Sequence, residues 1–89
     1  MHFERGDLIA FNYEIESFSP EENIELGVYD YTGFIKAFKP VICLAIDETF
    51  IFKRLRLFIL NDARLVCVTV RERDVALVGK FTTCYSAVG

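Results

Sequence analysis

Residues 55–78, LRLFILNDARLVCVTVRERDVALV, decide the fold. Two apolar runs flank Asn61-Asp62-Ala63-Arg64, which is turn chemistry between strands. The second run passes through the polar corner Arg71-Glu72-Arg73-Asp74 into a short third run, Val75-Ala76-Leu77-Val78. A hairpin, a tight corner and one more strand make the closing half of a small β-barrel. In the second run Val66, Val68 and Val70 share one face and Leu65, Cys67 and Thr69 the other, so neither face is polar.

Residues 41–46, VICLAI, are likewise apolar on both faces. At 89 residues the chain is one domain, and folding at that length hides only roughly 60–65% of the unfolded surface. Yet 53% of the residues are hydrophobic, with nine Phe and four Tyr, and mean hydropathy is +0.31. So small an interior cannot hold that load. Apolar surface is expected to stay outside the core, where contiguous patches mark contact surfaces, so a homo-oligomer or a protein partner is implied.

Upstream, residues 8–15 read as a strand whose Ile9, Phe11, Tyr13 and Ile15 form the more apolar face. Ser19-Pro20-Glu21-Glu22 then carries helix-start signals: Ser19 as cap, Pro20 at the first helical position, and two glutamates at the positive end of the dipole. Gly27 is placed to end the turn in a left-handed conformation. This predicts a short helix over residues 20–26, docked through Ile24 and Leu26. Gly33 predicts a bulge within a strand over 28–38, Lys39-Pro40 punctuates, and residues 50–60 form a long strand bent near Lys53-Arg54. The reading is a mainly all-β domain over residues 1–89, with about five to six antiparallel strands and one short helical insertion. No repeat or linker divides it.

Cys43, Cys67 and Cys84 are an odd set without a C-x-x-C pair, and His2 is the only histidine. Neither a disulfide framework nor a zinc site fits that inventory, and a reduced cytoplasm is the expected home. The first residues lack a basic segment followed by an apolar one, and the longest wholly apolar run, 41–46, is far short of the ~20 residues of a membrane helix. No membrane association, metal, cofactor, catalytic residue or small-molecule substrate is read from the sequence.

The order Gly6-Asp7-Leu8-Ile9, an acidic insertion, Gly33-Phe34-Ile35, the hairpin around Asn61-Asp62-Ala63-Arg64 and Arg73-Asp74-Val75-Ala76-Leu77-Val78 resembles small SH3-like β-barrels of short bacterial and bacteriophage accessory proteins. The resemblance implies a barrel with a binding or structural role and carries over no catalytic residue. Ala63 departs from the pattern by standing where Gly is expected, which points to a different turn type.

Charge is unevenly laid out. Residues 1–30 hold eight acidic residues against Arg5 alone, and residues 31–89 hold nine basic against five acidic, together the net −3. Oppositely charged segments in one small domain are expected to neutralise each other, within or between subunits. Glu14, Glu16, Glu21, Glu22 and Glu25 form a solvated acidic stretch, or else a docking surface for a basic partner. Phe50, Phe52, Arg54, Arg56, Phe58 and Arg64 interleave base and aromatic and are the candidate partner-binding set; Lys53, Arg71 and Arg73 extend it. That combination also tracks phosphates and stacks bases, although a pI near 5.0 opposes nucleic acid at long range. Arg5-Gly6-Asp7 reads as a strand start rather than an adhesion tripeptide, and His2 with Cys84 lacks the third group that nucleophilic catalysis needs. The function expected is therefore a non-enzymatic interaction or assembly module that self-associates through apolar strand faces. The alternatives are a single-stranded nucleic-acid binder using the surface of residues 50–73, and an inhibitor whose acidic loop blocks a basic site.

Overall fold

The hairpin at the heart of the sequence pairs without a register shift from Leu55↔Val70 to Asn61↔Arg64. The computed structural model describes residues 1–23, 25–48 and 54–80. They form seven strands: β1 (Leu8–Phe11), β2 (Ile15–Asn23), β3 (Val28–Ile35), β4 (Val41–Glu48), β5 (Leu55–Asn61), β6 (Arg64–Val70) and β7 (Val75–Gly79). A 3-10 turn, Glu72–Asp74, makes the polar corner before β7. All pairings are antiparallel in one open sheet ordered β3-β2-β6-β5-β4-β1-β7.

Period-two alternation explains the core. Leu57 faces Val68 and Ile59 faces Val66 across the β5–β6 ladder, and all four are at most 2% exposed. They meet Ile9, Phe11, Ile35, Val41 and Cys43 in one cluster, where each large aliphatic side chain contributes about 1.5–3 kcal/mol by leaving water. Gly6 N–H donates to the Cys43 carbonyl at 2.7 Å and Cys43 N–H returns to the Asp7 carbonyl at 2.9 Å, tying the start of β1 to β4. Asp7 is itself fully buried: its Oδ2 accepts from Glu4 N–H at 2.7 Å and lies 3.3 Å from Lys80 Nζ, while Oδ1 has no hydrogen-bond partner.

The structure corrects the sequence reading at several points. Among the described residues of 20–26 there is no helix: residues 15–23 are β2, and Glu22↔Tyr29 and Asn23↔Val28 continue its ladder with β3, while Ile24 lies outside the described residues. The cap signal survives only as Glu21 N–H donating to Ser19 Oγ at 3.4 Å. Ser19, Pro20 and Glu21 fall in a register irregularity, where a residue without N–H is tolerated. Gly27, at φ +66°, serves the hairpin turn instead of a helix end. A helix of two turns has little stability of its own, and pairing with β3 satisfies the same backbone groups. Among the described residues the insertion thus adds two strands and no helix, and the count is seven rather than five to six.

The strand expected over residues 8–15 is broken at residues 12–14, where Asn12 N–H donates to the Asp74 carbonyl at 3.0 Å and Tyr13 turns outward. The bulge expected at Gly33 is present, as a register shift between Ser17↔Gly33 and Phe18↔Tyr31 with Gly33 at φ +133°. At the distal hairpin Asp62 and Ala63 adopt φ 51° and 61°, the left-handed pair of a two-residue type I′ connection, so Ala63 does not change the turn type. The unbroken register on both sides imposes that conformation on it, and Lys39 Nζ holds the loop from outside, 2.6 Å from Asn61 Oδ1 and 2.8 Å from Asp62 Oδ1. No helix among the described residues is long and apolar enough to cross a membrane.

Candidate functional site

Residues directly opposite on antiparallel strands point to the same face. Following the pairs across the sheet therefore draws its outer surface. One row runs Leu8, Ile42, Leu60, Leu65 through β1, β4, β5 and β6. The neighbouring row runs Ala45, Phe58, Cys67, Phe18, Tyr31 through β4, β5, β6, β2 and β3. These side chains alternate with the buried Leu57, Ile59, Val66 and Val68, so they lie on the face away from the core. Most are half-buried, while Leu65 is 45% and Tyr31 54% exposed. Phe18, Tyr31 and Phe34 stack edge to face at 6.1 and 5.6 Å. Cys67 is enclosed within its row, and burial pushes its thiol pKa up, Arg56 opposing and Asp47 adding to the shift. A polar row, Asp47, Arg56, Thr69, borders the apolar rows.

A second feature forms where β1 and β6 end and β5 begins. Tyr13, Arg54, Thr69, Arg71, Arg73 and Asp74 line a concavity of about 370 Å³. Tyr13 donates its hydroxyl to Asp74 Oδ2 at 2.8 Å, and Arg71 N–H reaches the same oxygen at 3.2 Å. Asn12 Nδ2 donates to the Arg73 carbonyl at 3.0 Å, fixing the corner to the end of β1. The Asp74 hydrogen bond raises the Tyr13 pKa above the usual phenol value, desolvation and the Asp74 charge add to it, and the Arg71 and Arg54 guanidiniums oppose it.

The structure divides the candidate basic-aromatic set. Phe50 and Phe52 lie outside the described residues. Arg56 and Phe58 share the outer face two residues apart on β5. The Arg56 guanidinium sits 4.7 Å from the Tyr29 ring centroid and donates to its hydroxyl at 2.9 Å. Arg54 lines the concavity, whereas Arg64 is at the opposite end of the hairpin, about 20 Å away along the strands. The acidic candidates are strung along the β2–β3 hairpin: Glu14, Glu16, Glu21 and Glu25 are exposed, and the Glu22 backbone lies opposite Tyr29. Partial desolvation raises the Tyr31 pKa, with the charges of Glu16 and Glu14 adding to it. The basic hairpin meets the acidic segment at Arg56 through the Tyr29 ring and hydroxyl, while Lys39 pairs with Asp62 and Lys80 with Asp7.

Compared with known proteins, the chain matches no protein-family model, no curated protein and no solved structure. Sequence reasoning missed Tyr13 and Asp74 as site residues, since 61 positions separate them and nothing local marks either. It also missed the outer rows, which exist only through pairing register. The doubly apolar runs at residues 41–46 and 65–70 were the one legible sign of them.

Proposed function

We propose that the chain is a non-enzymatic interaction and assembly module on an SH3-like barrel frame, and that it associates with further copies of itself through the outward apolar face of the sheet. The observation that carries this reading is the pair of adjoining rows, Leu8-Ile42-Leu60-Leu65 and Ala45-Phe58-Cys67-Phe18-Tyr31. A monomeric domain gains nothing from aligning aliphatic and aromatic side chains toward water, whereas a second copy removes them from it. The SH3-like frame is favoured by the order of connections. A long hairpin, β2–β3, is inserted between β1 and the β4–β5–β6 meander, and a 3-10 turn returns β7 to β1.

Sedimentation and light scattering test the reading. The expected result is a mass that is a multiple of 10.2 kDa at micromolar concentration and persists in high salt. Leu65→Glu and Phe58→Glu should each release a folded monomer. A wild-type mass of 10.2 kDa at every concentration would refute self-association.

A further inference from the structure

The geometry points to an anion-binding site in the concavity between β5, the end of β1 and the corner before β7, built to take the phosphoryl group of a phosphate monoester. Three guanidinium-bearing residues, Arg54, Arg71 and Arg73, line it against the single carboxylate of Asp74. That carboxylate has structural work at Oδ2, which accepts from both the Tyr13 hydroxyl and Arg71 N–H. The neighbouring Glu72 lies 3.6 Å from the Met1 ammonium and 3.7 Å from His2 Nδ1, so its charge is drawn away from the arginines.

Register sets two of the arginines near each other. Leu55↔Val70 is the last pair of the β5–β6 ladder, and Arg54 and Arg71 are the next residue on each chain, both exposed. A protein of net charge −3 has no general surplus of cations, so their gathering at a concave site favours an anion there. Arginine forks suit planar or tetrahedral oxyanions, with two donors per guanidinium. The Thr69 side chain belongs to the same wall and supplies a hydroxyl to an anion's oxygens. A volume of about 370 Å³ takes a phosphoryl group with the few atoms that carry it, at the small end of ligand pockets.

Amide chemical-shift titration of the full chain tests the assignment, with phosphoserine, a phosphoserine peptide and inorganic phosphate as probes. Saturable shifts should centre on Tyr13, Thr69, Arg71 and Arg73, and added salt should weaken them. Arg71→Gln should weaken binding about tenfold or more, Arg73→Gln likewise, and Arg64→Gln, at the far end of the hairpin, should leave it unchanged. If Arg71→Gln does not fold, Arg73→Gln decides, since Arg73 lines the concavity and its corner contact is made by the backbone carbonyl, which the substitution keeps. Tighter binding of the peptide than of free phosphoserine identifies a protein source, and equal binding a small molecule; both support the site. Absence of saturable shifts at millimolar probe overturns it. So does equal weakening by Arg64→Gln. A single-stranded oligonucleotide that binds more tightly than phosphoserine, and depends on Arg64 as much as on Arg71, would replace it with a nucleic-acid surface.

Discussion

Tyr13 and Asp74, 61 residues apart, meet hydroxyl to carboxylate at 2.8 Å and close the corner where the chain turns back toward β1. The contact is exposed, so Tyr13→Phe should cost no more than about 1 kcal/mol by denaturant titration. Its sign with pH is fixed by the raised Tyr13 pKa, caused first by the Asp74 hydrogen bond. The contribution is complete below the unfolded phenol value of about 10 and is lost as pH rises through the higher folded value. Ultraviolet titration should find one tyrosine fewer ionising later than free phenol in Tyr13→Phe than in the wild type, Tyr31 remaining late in both.

Ala63 holds φ 61° in the distal turn, a conformation that costs a residue with Cβ about 1 kcal/mol. Ala63→Gly removes that strain, although the looser unfolded chain takes back part of the gain. The net expectation is stabilisation of about 0.5–1 kcal/mol and a higher Tm. A lower Tm would mean that the turn is not strained.

Cys43 is fully enclosed, and burial, with the nearby Asp7 charge, pushes its thiol up to about 11. Because the folded value lies above the unfolded one of about 8.5, the thiol's contribution to stability is intact below that pH and disappears as pH climbs toward about 11. At pH 8 neither Cys43 nor Cys67 should react with iodoacetamide until the protein unfolds. Mass-spectrometric mapping that finds Cys43 alkylated rapidly in native buffer would contradict this.

Asp7 accepts from Glu4 N–H and pairs with Lys80 while fully enclosed. Asp7→Ala takes the charged acceptor from that part-buried hydrogen bond and should destabilise by about 1–3 kcal/mol. Asp7→Asn retains a side-chain oxygen for the N–H, and Lys80, 41% exposed, stays hydrated. Its loss in urea should be distinctly smaller, and equal losses would mean that the charge itself is what matters.

Local chemistry was legible; pairing at a distance was not. The β5–β6 hairpin could be read because Asn61-Asp62 and the alternation of Val66, Val68 and Val70 are contained within a dozen residues. Ser19-Pro20-Glu21-Glu22 misled because the same residues cap a helix or kink a strand, and the choice lay with Tyr29 and Val28 across the turn. Of the basic set, Arg54 lines the concavity and Arg56 reaches the Tyr29 ring although the two share one side of the pleat; the division follows the strand end, since Arg54 lies just before β5, beside the corner, and Arg56 lies within the ladder. The concavity is lined from three separate parts of the chain, Tyr13, Arg54 and residues 69–74, and no spacing in the sequence encodes their convergence.

β1 lies between β4 and β7, with Ile9 opposite Leu77 and Phe11 opposite Val75. On the ribosome Ile9 and Phe11 leave the exit tunnel long before Val75 is joined to the chain. Until then the nascent polypeptide carries an unfilled ladder edge beside two of its most apolar side chains. The chain's greatest need for a chaperone thus lasts until residues 75–79 have followed and closed that edge.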